Sequence, residues 1–478
     1  MKDNDKQIEK ESVSVWSSEL HPALVNDEKA LQLRQDKVSR LIWKYSLPAI
    51  AAMVVSSLYN IIAGIFIGHL GAYNIAGVGL TAPIMNLGAA LGSLVGVGGS
   101  VLCSISLGEK NYSKARKILG NVVILNFVIG ILFTIVGLIW LDPILLFFGA
   151  SENTLQPAHE YMTIILYGNV FAHSYLGLNN ILRVSGSPVA AMNITFLSVV
   201  VNIILAPIFI FIMDMGVKGA ALATVIAEIF CCVAVFALFV PKSRPIHFER
   251  KRFKLDFPIV KQAFKIGLPN FFTNAAACFI VVLQNYNLLE YGGDLYVGAL
   301  SIINRVGFLF FMIALGFSQG MQPIVAYNFG AKQYDRMWQA FKMALSCALV
   351  VTCVGTFFCE FFPREMASFF VDGSSELDMM LLDVTTDGFR LYNCCFWIIA
   401  TQVIGSNFFA SMNQPGKSLF LSLTRQVIFI IPLLFVLPPI LGVNGIWLTT
   451  PISDVVAALC AIVLLMREWK KQKRAGYV

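Results

Sequence analysis

The sequence predicts an all-α integral membrane protein of twelve transmembrane helices in two pseudo-symmetric six-helix lobes. Three observations carry that expectation. The first is composition: of 478 residues, 57% are hydrophobic and 13% charged, against roughly 25% charged in a soluble domain, and mean hydropathy is +0.73. Such a chain has too little polar surface to cover itself in water, which excludes a soluble domain, a disulfide scaffold and a disordered chain. The second is a set of twelve apolar stretches, each long enough to cross about 30 Å of hydrocarbon at about 1.5 Å per residue. The third is an internal repeat.

In chain order, residues 1–40 are polar and mixed in charge, without an apolar run behind a basic start, and read as a cytosolic extension. The first six spans fall near 41–68, 75–106, 118–141, 160–182, 190–213 and 216–240, giving an N-terminal lobe over 41–240. A basic connection makes 241–262 a cytosolic linker. Six further spans, near 263–289, 295–328, 340–362, 382–410, 418–440 and 443–466, give a C-terminal lobe over 263–466, and 467–478 form a cytosolic tail. In span 2, Gly88, Gly92, Gly96, Gly98 and Gly99 permit close helix approach. Pro207, Pro323 and Pro432 are expected kinks. Trp43, Trp140, Trp338 and Trp469 sit at span ends as interfacial anchors. The ten cysteines lie in apolar runs without metal-ligand spacing and read as small buried hydrophobes.

The repeat runs through both halves. Leu47-Pro48 recurs as Leu268-Pro269, 221 residues on, and Gly108-Glu-Lys-Asn-Tyr112 as Gly330-Ala-Lys-Gln-Tyr334, 222 on. Gly216-Val-Lys-Gly219 recurs as Gly442-Val-Asn-Gly445 and Glu228 as Asp454, both at 226; Ser187-Pro188 recurs as Gln414-Pro415 at 227. Six spans per copy give both halves one orientation, a parallel repeat with substrate expected between the halves.

Charge sets the topology. With the N-terminus inside, 31 of 35 Lys and Arg fall on the inner side, while the outer loops hold Lys218, Arg364 and Arg390 against 13 acidic residues. The positive-inside rule then places both termini in the cytosol of a bacterial inner membrane. The net charge of +7 is a topology signal and an attraction to anionic membrane lipid, not a sign of nucleic acid.

Enzyme signatures are lacking, so no catalytic residue, metal or cofactor is expected. Ser411-Met-Asn-Gln-Pro-Gly-Lys-Ser418 lacks the first Gly of a phosphate loop and reads as a turn, and His173 in span 4 as a packed histidine. Polar groups within spans are costly in hydrocarbon unless paired or wet. They nominate Asn60, Asn180, Gln284, Asn304, Arg305, Gln319, Gln322 and Gln402 for a substrate cavity, and Asn202, Thr224, Glu228 and Asp454 for ion coupling. Glu228 and Asp454 lie near mid-span at matching depth. They are functional candidates, with structural hydrogen bonding or an ion pair with Arg305 as the alternative.

Leu47-Pro48, Leu58-Tyr59-Asn60, Ile65-Phe-Ile-Gly68, Ser318-Gln-Gly-Met-Gln-Pro323, Tyr327-Asn-Phe-Gly-Ala-Lys332, Gly216-Val-Lys-Gly-Ala-Ala221 and Pro451-Ile-Ser-Asp454 together resemble the multidrug and toxic compound extrusion (MATE) family, in its MepA-like bacterial branch, over about residues 40 to 466. The resemblance implies two lobes in a V around a central cavity, and export of amphipathic, often cationic, small organic molecules in exchange for H⁺ or Na⁺. It adds Tyr59 to the cavity candidates. In one respect the chain departs from the pattern. The family's aspartates in spans 1 and 5 fall on Ala63, in Tyr59-Asn-Ile-Ile-Ala63, and Ala206, in Asn202-Ile-Ile-Leu-Ala-Pro207. Both coupling acids are lost, leaving the neutral oxygens of Asn202, Thr224 and backbone, so no Na⁺ site is expected in this lobe.

Thr224 and Glu228 are spaced i and i+4 on one helix face, about 6 Å along the axis, so Glu228 is placed to carry a proton in place of the missing acids. The expected function is a monomeric secondary antiporter exporting organic compounds by alternating access, H⁺ favoured over Na⁺. A lipid-linked saccharide flippase and an uncoupled facilitator are the alternatives. The topology is testable: a cysteine placed at Ser375 should label in whole cells, and one at Ser243 only after permeabilisation. The reverse pattern would overturn the assignment.

Overall fold

The computed structural model describes residues 28–242, 244–371 and 375–477, and not the side chains of residues 28–31, 60, 61, 72 and 250. Residues 1–27 of the expected extension, Ser243 and the side chain of Asn60 thus lie outside the described residues. The expected spans are all helices. Spans 1 to 6 are Val38–Gly68, Ala72–Gly108, Tyr112–Ile139, Glu152–Val184, Pro188–Ile212 and Gly216–Phe239. Spans 7 to 12 are Phe257–Gly292, Asp294–Gly330, Tyr334–Phe361, Glu376–Asn393 with Phe396–Ser411, Pro415–Leu441 and Val443–Arg474.

Two spans depart from a plain apolar helix. Span 10 bends by 42° between its two pieces. Span 4 is too polar to pass as a lipid-facing helix, carrying Glu160, Asn169, His173, Asn179, Asn180 and Arg183. It packs against spans 2, 3 and 6, so protein rather than lipid covers its polar groups. Two of the expected proline kinks flank π-helical turns: Ile208–Ile212 directly follows Pro207, and Thr424–Ile430 precedes Pro432, a device that absorbs a helix distortion in one turn. The ten cysteines are free. Cys103, Cys231, Cys232 and Cys359 are buried as expected, but Cys353 is exposed beside Val350 and Val354 on the apolar outer surface of span 9. Arg425 corrects the charge tally. It lies ten residues inside span 11, about 15 Å from its start, not in a loop, which leaves 30 of the 35 basic residues on the loop-rich side.

The buried apolar residues form one core spanning both lobes at the face that carries the basic loops, from Leu41 and Val101 to Ile324, Phe408 and Leu465. Toward the opposite face there are two separate cores. One, from Ile67 to Val225, belongs to the N-terminal lobe, and the other, from Ile280 to Trp447, to the C-terminal lobe. The lobes meet on the basic face and part on the other. Glycine makes the junction possible. A Cβ on Gly108 would lie 2.0 Å from the carbonyl oxygen of Tyr327, and one on Gly330 would lie 2.2 Å from that of Ile105; the two contacts are related by the 222-residue repeat. Gly98 and Gly267 of spans 2 and 7 similarly press on the carbonyls of Ala263 and Leu94, at 1.9 and 1.8 Å. Ser104 Oγ donates to the carbonyl of Pro323 at 3.0 Å.

Two connecting segments reinforce that face. The linker is fixed to span 3 by the Arg116–Glu249 and Lys117–Asp256 pairs, and Asn121 donates to Lys254 O and accepts from Asp256 N. Hydrogen bonds from Arg252 and then Arg116 hold Glu249 below the ordinary carboxylate range, and Lys117 does the same for Asp256. A short leading helix, Glu28–Gln35, precedes span 1.

Gly267→Ala should lower the melting temperature of the detergent-solubilised protein by several degrees, because only backbone movement can relieve its clash. Gly64→Ala, with nothing within 4 Å of the added carbon, should leave it unchanged or raise it, since alanine gains about 1 kcal/mol in a helix. Equal melting temperatures would refute the close approach.

Candidate functional site

In the N-terminal lobe, spans 1, 4, 5 and 6 line a small cavity of about 20 Å³, walled by Tyr59, Ala63, Phe66, Ile67, Tyr161, Asn202, Ala206, Ile210, Ala220 and Thr224. Asn202 Nδ2 donates to Thr224 Oγ1 at 3.0 Å, and Thr224 Oγ1 donates to the carbonyl of Ala220 at 3.1 Å. Tyr59 and Tyr161 line the same cavity as Thr224. The chain thus brings Tyr59, Ala63, Asn202, Ala206 and Thr224 to one place. Sequence pattern held no sign of Tyr161, a residue of the polar fourth span.

Glu228 stands one turn beyond Thr224 on span 6. Tyr59, Tyr161 and Tyr175 lie within its electrostatic reach. Among the described residues, no hydrogen bond or ion pair holds its partly buried carboxylate.

The repeat-related acid is held differently. Asp454 is 2% exposed and takes Arg425 Nε at 2.5 Å, while Ser453 Oγ donates to the carbonyl of Arg425. The ion-pair alternative therefore applies to Asp454, with Arg425 rather than Arg305 as partner. The repeat held the clue: the 227-residue offset between spans 5 and 11 sets Arg425 opposite Ser198, in mid-span, and Thr450 falls opposite Thr224 at 226. Among the described residues, Glu228 has no such arginine.

The remaining candidates do not share one site. Gln322 Nε2 donates to Asn407 Oδ1, Gln402 Nε2 to Leu421 O, and Asn180 Nδ2 to Leu176 O of its own helix; Gln284 is buried in span 7. These are packing and satisfaction roles. Asn304 accepts from the Tyr392 hydroxyl at 3.4 Å. Gln319 accepts from Arg183 across the lobes, at the floor of the opening; the sequence had placed Arg183 in a loop. Arg305 is exposed, three turns from Gly316 on the helix face that touches Ile50 of span 1, so it points toward the opening. His173 is fully buried against Gly92, with Nδ1 3.0 Å from the carbonyl of Asn169, the packed histidine expected. Among the described residues no group of three or more His, Cys, Asp or Glu is arranged to hold a metal.

A twelve-helix membrane bundle whose lobes join on one face and part on the other, each with a polar centre inside, is the architecture of a solute transporter. The MatE family model matches residues 48–208 and 269–436, one copy per half, and the chain belongs to that family, whose members are transporters rather than enzymes. It is 27% identical over 455 residues to the multidrug export protein MepA of Staphylococcus aureus strain MRSA252, covering 93% of this chain and 97% of that one. A solved multidrug resistance MATE family transporter in an outward-facing conformation matches with a TM-score of 0.86 at 24% identity, over 94% of this chain and 98% of that chain. A MOP superfamily transporter from Pyrococcus furiosus matches with the same score at 23% identity, again over 94% and 98%.

Removing one partner of a buried ion pair leaves an uncompensated charge, at a cost of about 3–5 kcal/mol, whereas replacing both by apolar residues is often neutral. Arg425→Ala should therefore lower the melting temperature sharply, and the double substitution Arg425→Met with Asp454→Leu should recover most of the loss. A double variant no more stable than Arg425→Ala would contradict the pairing.

Proposed function

We propose that this transporter exports amphipathic organic compounds by alternating access, as a secondary antiporter coupled to protons, with Glu228 as the proton carrier. One observation carries the reading: of two acids related by the repeat, Asp454 is neutralised by Arg425 while Glu228 stands unpaired beside the polar cluster. An intramembrane acid with a fixed counter-charge is structural. One without is free to gain and lose a proton. With Ala63 and Ala206 the cavity wall carries no carboxylate, which leaves Glu228, one turn beyond Thr224, as the acid beside it, and the neutral oxygens of Asn202 and Thr224 do not balance a sodium ion.

The mechanism follows from burial. A protonated, neutral glutamic acid is tolerable while the lobe is dry. When the lobe wets, or a cationic group of the exported compound approaches, the proton leaves, so proton and solute exclude each other. The multidrug export proteins among the relatives support an organic solute of broad structure. In this reading residues 41–240 and 263–466 are the two lobes, joined by the 241–262 linker, with 1–40 and 467–478 as cytosolic extension and tail. The protein works as a monomer in a bacterial inner membrane with both termini inside.

Glu228→Gln keeps size and hydrogen bonding but cannot titrate. In proteoliposomes it should lose at least tenfold in pH-gradient-driven export of a fluorescent amphiphile, while counterflow without a gradient survives, and a Na⁺ gradient should drive neither form. Gradient-driven export equal to wild type between pH 6 and 8, at equal protein, would refute the assignment and favour the uncoupled facilitator.

A further inference from the structure

The face on which the lobes meet holds a third element, the leading helix Glu28–Gln35. Eight residues of mostly polar sequence are too few to make a stable helix alone, so its order comes from docking. Among its described side chains the buried apolar one is Leu33, which is 1% exposed and belongs to the core shared by both lobes. Leu33 lines a small recess together with Leu107, Val184, Ser185 and Gly186 of the N-terminal lobe and Pro245 and Ile246 of the linker.

The same residue is gripped from the other side through its backbone. Arg336, at the start of span 9 in the C-terminal lobe, donates Nη2 to the carbonyls of Leu33 at 3.3 Å and Asp36 at 2.6 Å. These are carbonyls that a helix end leaves without partners. The guanidinium is itself steadied by Asn328 of span 8, which accepts from Nε at 3.3 Å. Lys44 of span 1 ties the helix down through Gln32, at 2.5 Å. Leu33 is thus held by its side chain to one lobe and by its carbonyl to the other, so the lobes cannot part on this face unless one grip lets go.

We propose that the leading helix is a latch, with Leu33 as its bolt and Arg336 as its catch, that stabilises the state closed on the basic face and is released when that face opens. The proposal rests on the alternating-access reading above, and gives it a means of setting the balance between the two states from outside the solute path. A segment gripped by the other lobe through two hydrogen bonds is held weakly enough to release within a transport cycle.

The test is a distance measurement on the full-length protein in lipid nanodiscs. Spin labels are placed at Lys114→Cys, a partly exposed position, and Lys342→Cys, an exposed one, in opposite lobes on this face. Leu33→Asp and Arg336→Gln should each raise the population of separated label pairs at least fivefold, with a single melting transition retained. Leu33→Met, which keeps an apolar side chain of similar size, should match wild type. If Leu33→Asp does not fold, Arg336→Gln combined with Leu33→Ala decides the matter. Distance distributions unchanged from wild type in the folded variants would overturn the latch. The readout needs neither solute nor gradient, so it tests the latch even if Glu228 proves not to carry the proton.

Discussion

Everything about this molecule's shape depends on how closely spans 2, 7 and 8 approach where the lobes meet. Gly108 and Gly330 each lie against a carbonyl of the other lobe, and Gly98 and Gly267 do the same further along span 2, where it crosses span 7. Backbone packed on backbone leaves no side chain that could swing aside, and packed interiors have low compressibility. Such a joint resists partial opening and favours rigid movement of whole lobes. The distribution of cores matches this joint: one shared core where the glycines allow contact, and a separate core in each lobe toward the other face.

Within the lobes the governing constraint is the cost of charge in hydrocarbon. The two halves of the repeat meet it differently. The C-terminal lobe pairs Asp454 with Arg425 and ties the same turn down through Ser453. The N-terminal lobe has Ser198 where that arginine would stand, alanines at 63 and 206, and an acid with no counter-charge. The two centres thus differ in one respect: the acid of the C-terminal lobe is held by an arginine, and among the described residues that of the N-terminal lobe is not.

The fold was legible because membrane insertion writes itself into composition and length. All twelve spans could be found from apolar runs, even span 4, whose polar residues only packing explains. The repeat offset located the lobes and matched Glu228 to Asp454. The sequence was less informative about partners. Arg425 was counted with the inner-side charges although the expected span 418–440 contains it, and only the pairing with Asp454 shows its role there. Gln322 and Gln402 looked like cavity residues because a polar group in a span has two explanations, a wet cavity or a partner on a neighbouring helix, and spacing along one helix does not distinguish them. Tyr161 was missed because a tyrosine in a long helix carries no directional signal until its neighbours are known.

The positions of the distortions connect these themes. The two π turns lie in spans 5 and 11, related by the repeat, yet they sit differently against the polar centres. In span 11 the turn Thr424–Ile430 contains Arg425 itself, so the ion pair to Asp454 and the hydrogen bond from Ser453 fasten the distorted turn to span 12. In span 5 the turn Ile208–Ile212 begins just after Pro207, beside Ala206 and Ile210 on the cavity wall, and no charge fastens it. A helix interrupted by proline and a π turn has already given up part of its hydrogen-bond ladder, so the added cost of bending there is small. The lobe with the unpaired acid is therefore also the lobe with the freer hinge. In the proposed mechanism the charge on Glu228 changes inside that lobe, and span 5 is where the lobe can yield to it.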